Sequence, residues 1–367
     1  MKRNNLYAQT RLVKRVETVI SYPVNVPRGN SFMVIGLIIL VFASLILWYW
    51  QEKKQRVSHP VQGGINKSVT LQHDAEFELY HNALSLCSKK ARICLDELGI
   101  PYKSHHIHLI ETGYYETISR HFLKVNPAGV LPVLVHNGHP IYESHDIINY
   151  AAAHSQTPEL LIPIDDSVRE IMDYWSDKAS VVGEDTRPGM AQRAGNCVTV
   201  LTVPLFASGM TTIPLRYVVI GLLFHRLKIR PLMFTAFKLL GPAGALRIPK
   251  FISEISVARD YMHKHLDELE RHLETTGPWI AGEQFTLADV SWMSLIERFR
   301  EADWLDYFLK DRPQLSAYWG RLSSRESYRT AITECSHPTI EIANALLRLT
   351  KMKYGGIKNT LEANRSI

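Results

Sequence analysis

Residues 126–134 read Asn-Pro-Ala-Gly-Val-Leu-Pro-Val-Leu, and this stretch constrains the fold around it most strongly. The apolar residues after Pro132 predict a strand, and proline is tolerated where a strand begins. X–Pro bonds adopt the cis form far more readily than other peptide bonds. A cis Leu131–Pro132 bond would leave the N–H and C=O groups of Leu131 free to pair with the backbone of a bound peptide. The stretch therefore predicts a peptide-binding loop that leads into a buried strand.

A second informative stretch, Ser85-Leu86-Cys87-Ser88, follows the short apolar run Phe77–Tyr80, which also predicts a strand. Helical spacing begins directly afterwards, in the apolar residues Cys87, Ala91, Cys94, Leu95 and Leu98. Ser85 is therefore expected where a strand gives way to a helix. Unpaired N–H groups and the helix dipole favour an anion at such a position. A serine hydroxyl there is suited to holding a bound thiol as its thiolate.

The third stretch, Glu143-Ser144, is expected just before a helix over Asp146–Ala153. The carboxylate of Glu143 can meet an ammonium group. Ser144, as the predicted N-cap, offers its hydroxyl and neighbouring N–H groups to a carboxylate. A thiol, a peptide backbone and a zwitterionic amino-acid end are the three features that glutathione presents. The three stretches together predict a glutathione site.

On these motifs, residues 77–333 resemble the glutathione transferase superfamily, in which a thioredoxin-like α/β domain precedes an all-helical one. The pattern Ser85-x-Cys87-Ser88 is most similar to the zeta-like members, the maleylacetoacetate isomerases and the tetrachlorohydroquinone reductive dehalogenases. A signature of the second domain is also present at residues 285–290. There Thr286 is a predicted N-cap and Asp289 its acidic partner three residues later.

The resemblance implies a role for each site residue. Ser85 would stabilise the glutathione thiolate, and Cys87 would take glutathione into a mixed disulfide, as a cysteine at this offset does in the dehalogenases. Cys87 also lies on the apolar stripe of its helix, so a packed core thiol is equally compatible with the sequence. Leu131 and Pro132 would bind the peptide backbone, and Glu143 with Ser144 the γ-glutamyl end. The resemblance further implies glutathione as co-substrate and a homodimer. A small apolar electrophile is expected, because the second domain and a basic insertion described below would supply its pocket and a membrane would concentrate it.

One residue departs from the family pattern. Val130 stands where many members carry Lys or Gln, which contacts the glycyl carboxylate of glutathione. Its presence predicts weaker glutathione binding unless Lys124 or a histidine replaces the contact. Two hypotheses therefore remain open: a glutathione transferase, and a transferase-like scaffold without turnover that binds membranes or partners.

The N-terminal part predicts a membrane anchor. After an arm over residues 1–31, residues 32–50 form an uncharged, mostly apolar run that as a helix would span about 28 Å, enough to cross a bilayer once. Residues 51–76 are polar and predict a linker. Positive residues near the span are equally frequent on both sides, so they do not set its orientation. Reduced glutathione and unpaired cysteines favour a cytosolic location for the folded part.

The remaining segments predict a glutathione-binding domain over residues 77–155, an all-helical domain over 165–335 and a tail helix over 336–367. An insertion at 186–253 contains no Asp or Glu but many Lys and Arg residues between apolar runs. This composition suits an anionic lipid surface. Packing of the insertion against its own domain is equally compatible with the sequence.

Other functional classes are disfavoured. The net charge of +6 comes largely from the insertion and the N-terminal arm, and no base-stacking or groove-reading motif accompanies it, so nucleic acid is not an expected partner. His105, His106 and His108 alternate as in a strand and lack acidic or thiol partners. No metal site is predicted.

Overall fold

The computed structural model describes residues 28–182 and 186–362, which form two compact units divided after Gln55. The first unit contains helix α1 (Arg28–Gln55), which is longer at both ends than the predicted span over 32–50. Among the described residues, α1 is the one helix whose length and composition would allow it to cross a membrane. Residues 1–27 of the predicted arm lie outside the described part of the chain.

The second unit begins with a five-stranded mixed sheet. Its strands are β1 (Gly64–Ile65), β2 (Phe77–His81), β3 (Lys103–His106), β4 (Val133–His136) and β5 (His139–Tyr142). Their order is β1-β5-β4-β2-β3, in which β2 and β3 are parallel and the other pairs antiparallel. The sequence did not predict β1, which lies inside the expected linker and pairs Ile65 with Ile141.

Alternation along the strands separates the two faces of the sheet. Phe77, Leu79, Leu134 and Ile141 face the main core, together with helices α2 (Leu86–Glu97) and α4 (Ser144–Ala153). The opposite face carries Tyr80, Val133, Val135 and Tyr142, which pack with Phe122 of the short helix α3 (Phe122–Val125). Because both faces are buried, β2 has no exposed residue. This arrangement confirms the predicted α/β part of the fold.

An all-helical region follows, as predicted. Its helices in chain order are α5 (Asp166–Lys178), α6 (Thr186–Gln192), α7 (Ala194–Leu201), α8 (Val203–Gly209), α9 (Leu215–Phe224), α10 (Ile229–Ala245), α11 (Pro249–Thr276), α12 (Leu287–Glu301), α13 (Leu305–Leu309), α14 (Pro313–Ser323), α15 (Glu326–Tyr328), α16 (Pro338–Lys353) and α17 (Gly355–Glu362). Helix α12 is the central one, and its Trp292 is fully buried and donates to the carbonyl of Trp175 at 3.0 Å.

The predicted N-cap of α12 is present. The backbone N–H of Thr286 donates to Oδ2 of Asp289 at 2.8 Å, and the two residues form a capping box. Oδ1 of the fully buried Asp289 accepts bonds from the backbone of Ile280 at 3.0 Å and from the hydroxyl of Tyr318 at 2.7 Å. The cap therefore also ties the start of α12 to α14.

The insertion over 186–253 forms α6 to α10 and the start of α11. One side of it is packed: α7 contacts α11, and α8 contacts α10 and α16, with Cys197, Phe234 and Phe237 fully buried. Arg230 forms an ion pair with buried Glu111 at 2.9 Å. The tail helix α16 buries Ile340 and Leu347 against the domain. The insertion is thus an integral part of the helical region on this side.

Candidate functional site

The start of α2 is held by a short loop over residues 82–84. The amide of Asn82 donates to the carbonyl of Ile107 at 2.8 Å, and its oxygen accepts from the N–H of Leu84 at 2.8 Å. Arg298 of α12 donates to the carbonyl of Leu84. Side-chain to backbone bonds of this kind fix a loop without regular structure. The residue that follows the loop, Ser85, therefore has a defined position.

Ser85 lies where a strand gives way to a helix, as the sequence predicted, and it is the N-cap of α2. Its Oγ accepts a bond from the N–H of Ser88 at 3.2 Å, and its side chain is half-buried. A serine hydroxyl that accepts one bond still has its own proton to donate. No residue in the described part of the chain accepts that proton. The hydroxyl is therefore able to donate to an anion at the positive end of α2.

Cys87 differs from the other thiol on its helix. It is half-buried, whereas Cys94 is fully buried and its Sγ lies 3.6 Å from the carbonyl of Ile148. Burial, followed by the charge of Glu97, raises the pKa of Cys94 well above its ordinary value. Cys94 is thus a core thiol. The accessibility of Cys87 distinguishes it from Cys94, although the sequence places both on one stripe.

The loop before β4 has the predicted geometry, with a cis bond between Leu131 and Pro132. The Nδ2 group of Asn126 donates to the carbonyl of Val130 at 2.8 Å and fixes the loop from inside. Gly129 has φ +68°, and a Cβ there would lie 3.0 Å from the carbonyl oxygen of Thr117. Leu131 is half-buried, whereas the Val130 side chain is 44% exposed. Val130, which stands where many family members carry Lys or Gln, is therefore open to solvent.

The third stretch differs from its prediction in the first residue of its helix and in the residue that caps it. Helix α4 begins at Ser144, two residues before the predicted Asp146, and Glu143 rather than Ser144 is its N-cap. Glu143 has φ +64°, which a non-glycine residue adopts rarely and mostly at constrained sites. Ser144 is consequently in the first turn, where the helix leaves N–H groups unpaired. Partial desolvation, followed by the charge of Asp146, raises the pKa of Glu143.

The sheet brings the three stretches to one end of the domain. Tyr80 near the end of β2 lies opposite Val133 at the start of β4, and Leu134 lies opposite Ile141 near the end of β5. The residues that follow β2, precede β4 and follow β5 therefore leave the sheet at the same end. All six predicted site residues belong to these segments: Ser85, Cys87, Leu131, Pro132, Glu143 and Ser144.

The segment expected to be a plain linker also reaches this end of the sheet. The N–H of His59 donates to the carbonyl of Pro127 at 2.9 Å. A Cβ on Gly63 would lie 2.1 Å from Oδ2 of Asp146 and 3.2 Å from Cγ of Glu143. Asp146 and Gly63 were missed from the sequence. The pair Gly63-Gly64 was the available signal, because only glycine permits so close an approach.

Comparison with known proteins gives one consistent result. Residues 79–159 match the family described as Glutathione S-transferase, N-terminal domain, and residues 245–321 match its C-terminal domain. The chain is 30% identical over 268 residues to Glutathione S-transferase TCHQD of Arabidopsis thaliana, covering 70% of this chain and 89% of that protein. It is 24% identical over 263 residues to the Tetrachloro-P-hydroquinone reductive dehalogenase of Sphingobium chlorophenolicum, covering 70% and 95%. The beta-etherase LigF from Sphingobium sp. strain SYK-6 has a similar fold, with TM-score 0.56, 18% identity and coverage of 71% and 100%.

Proposed function

Because the chain belongs to the glutathione transferase family, with glutathione as its co-substrate, we propose that it is a membrane-anchored transferase directed at an apolar electrophile. In this proposal Ser85 donates a hydrogen bond to the glutathione thiolate. Leu131 and Pro132 bind the peptide backbone, and Glu143 with Ser144 holds the γ-glutamyl end. The observation that carries the proposal is the free hydroxyl proton of Ser85 at the start of α2. A preorganised donor at that point favours the thiolate before the electrophile arrives.

We propose a halogenated aromatic ring as the class of electrophile. Relatives of the chain are named for their action on tetrachloro-p-hydroquinone and 2,5-dichlorohydroquinone. In the first step the glutathione sulfur bonds to a ring carbon and chloride leaves. An accessible Cys87 two residues from Ser85 supports a second, reductive step.

That second step balances as follows. The thiolate of Cys87 attacks the sulfur of the aryl–glutathione thioether, and the sulfur–ring bond breaks. The electron pair stays on the ring carbon, which takes a proton, and a Cys87–glutathione disulfide remains. The thiolate of a second glutathione attacks this disulfide, which releases glutathione disulfide and restores Cys87. Two glutathione molecules are oxidised for each ring that is reduced.

Membrane attachment is supported by α1 and by the outer side of the insertion. Leu215, Val219 and Leu223 recur every four residues and are exposed along one face of α9, while Val218 and Phe224 are buried on the other. Further exposed apolar residues follow this stripe: Leu227, Ile229, Leu232, Leu239 and Leu240. Arg216, Arg226 and Lys228 are exposed among them. An apolar patch with interspersed cations suits an anionic lipid surface.

Helix α9, which carries this patch, also contacts the start of the second unit. Arg56 is the first residue after α1, and its guanidinium group lies 4.8 Å from the ring centroid of Phe224 in α9. It also donates to the carbonyl of Ile118 at 3.1 Å. Arg56 is therefore held at the helix that carries the exposed stripe.

The alternative function is a transferase-like scaffold without turnover, favoured by the exposed Val130. Retention of the full-length protein in detergent on immobilised glutathione separates the two. The proposal predicts retention that is lost in Glu143→Ala and Ser144→Ala and kept in Glu159→Ala, an exposed glutamate outside the site. Glutathione-dependent release of chloride from a chlorinated hydroquinone completes the test. Wild-type protein that is neither retained nor active would favour the scaffold.

A further inference from the structure

Two adjacent buried lysines in α2 have different surroundings. Lys89 and Lys90 are only 2% and 1% exposed. Nζ of Lys89 donates to Oε1 of Glu301 in α12, so its charge is paired inside the protein. Lys90 neither donates a hydrogen bond to any described residue nor forms an ion pair with one. The first lysine joins the two domains, whereas the second has no structural partner in the part of the chain described.

An ammonium group buried without an anion is unfavourable, because it loses its hydration and gains no compensating charge. Burial accordingly lowers the pKa of Lys90, and the nearby Cys87 and Asp177 act against this effect. Uncompensated ionisable groups of this kind concentrate at functional sites. The missing anion is therefore expected from a bound ligand or from a group that becomes charged during the reaction.

The position of Lys90 indicates which anion it meets. Cys87 and Lys90 are three residues apart and share one face of α2, and helical side chains lean toward the N-terminus. The Lys90 side chain thus extends toward the helix start that carries Ser85. Burial, followed by the charge of Lys90, lowers the pKa of His145, which follows Ser144 at the start of α4. Lys90 is therefore close to the starts of both helices that carry site residues.

The other polar groups around Lys90 do not neutralise it. Oδ1 of Asp177 in α5 accepts bonds from Nε and Nη2 of Arg193 at 3.2 and 3.0 Å, so this carboxylate already has a cation. Among the described residues, buried Nδ1 of His145 and Oγ of Ser176 have no hydrogen-bond partner. The charges of Asp146 and Asp173 act on His145. Of these groups, Asp177 and His145 are near enough to Lys90 for their charges to interact with it, and neither accepts a hydrogen bond from it among the described residues.

We propose that Lys90 is the cation that stabilises a thiolate at the start of α2. The inference rests on the proposed function for the identity of the anion, whose sulfur belongs to Cys87 or to glutathione. Lys90 keeps its proton, and the proton of the thiol leaves to solvent. Ser85 and Lys90 then act on the same sulfur, one by a hydrogen bond and the other by its charge.

The test uses the full-length protein in detergent with Lys90→Met, Lys90→Arg and, as a matched control, Lys103→Met, which removes an exposed lysine paired with Asp74. In the first arm, without glutathione, iodoacetamide alkylation of the Cys87 peptide is followed across pH by mass spectrometry. In the second arm, with Cys87→Ser added, the thiolate absorbance of bound glutathione is titrated. Lys90→Met is expected to lower the thiolate fraction at neutral pH about tenfold in at least one arm, which identifies the sulfur. Lys90→Arg, which keeps the positive charge, should retain most of the thiolate fraction at neutral pH.

Thermal stability separates this role from a structural one. Lys90→Met removes an uncompensated buried charge, so its melting temperature should stay equal or rise. A large fall in melting temperature, or an unchanged pH dependence in both arms, would overturn the inference. If wild-type protein bound no glutathione but its Cys87 alkylation still depended on Lys90, the proposed function would fail and the role of Lys90 would stand.

Discussion

A β-carbon on Gly63 would lie 2.1 Å from Oδ2 of Asp146, closer than any nonbonded contact allows. The two residues belong to different parts of the chain: Gly63 precedes β1, and Asp146 is in the first turn of α4. The pairing of β1 with β5 holds Gly63 in this position. The segment after the predicted membrane helix is therefore built into the edge of the candidate site.

Gly63→Ala should accordingly weaken glutathione binding. The added methyl group must displace Asp146 or Glu143, and Glu143 is one of the two residues proposed to hold the γ-glutamyl end. We expect the dissociation constant for glutathione, measured by isothermal titration calorimetry, to rise about tenfold, the effect of about 1.4 kcal/mol. Gly320→Ala, at a helical position with open space, should leave it unchanged. Equal affinities in all three proteins would show that this part of the chain is not coupled to the site.

Cys87→Ser should separate two reactions. Only a thiol can exchange with a glutathione thioether and then with glutathione, so release of a reduced ring should be abolished. Formation of the aryl–glutathione conjugate should continue, and the conjugate should accumulate. Both products are measured by liquid chromatography. Cys94→Ser changes a buried thiol of the same helix and should spare the reductive step in the protein that remains folded. Equal yields of reduced ring from wild type and Cys87→Ser would make Cys87 a packing residue.

Acid should destabilise the folded part through His81. Arg92 can only donate, so Nδ1 of His81 accepts its bond at 3.1 Å, and Nε2 donates to Ser104 Oγ at 2.7 Å. Burial, followed by the charge of Arg92, lowers the pKa of His81 from 6.5 to about 3. Between pH 6.5 and about pH 3, His81 is protonated in the unfolded chain but stays neutral in the folded protein. The free energy of unfolding therefore falls as the pH decreases through this range.

The contribution of His81 is measurable with a matched control. Between pH 7 and pH 5 the wild type should lose about 2 kcal/mol of unfolding free energy more than His81→Gln does, as followed by denaturant titration. His121→Gln removes an exposed histidine and should behave like the wild type. Identical pH dependence in wild type and His81→Gln would mean that folding does not lower the pKa of His81.

Deletion of residues 1–55 should leave part of the membrane affinity. Each exposed cation of the insertion contributes about 1 kcal/mol near an anionic surface, and the stripe on α9 adds apolar contact. Sedimentation with anionic vesicles should therefore show binding that falls steeply with salt, because the attraction is screened. The double substitution Arg226→Glu and Lys228→Glu should abolish this binding to anionic vesicles. Neutral vesicles should bind the truncated protein weakly at every salt concentration. If the truncated protein does not sediment with anionic vesicles even at low salt, the insertion does not bind lipid, and membrane attachment would depend on α1.

Local sequence signals predicted most of the candidate site and the start of α12. The N-cap serine, the strand-opening proline and the capping box at Thr286 each depend on residues close together in the chain, so they are visible without the fold. Strand β1 was not predicted, because a strand of two residues is too short to show an alternation of apolar and polar side chains. Its pairing is set by β5, which is distant in sequence. The difference between Lys89 and Lys90 also depends on a distant residue, since Glu301 lies in another domain. The left-handed conformation of Glu143 carries no compositional signal, because a glutamate rarely adopts it.

The most direct measurement of the central claim is the rate of glutathione-dependent turnover of a chlorinated hydroquinone by the wild type and by Ser85→Ala. Both should be full-length and matched in far-ultraviolet circular dichroism, because loss of an N-cap also costs about 1 kcal/mol of stability. If the Ser85 hydroxyl holds the thiolate, turnover should fall about tenfold to a thousandfold, the range for one lost anion-stabilising donor. Full activity of Ser85→Ala would contradict the assignment.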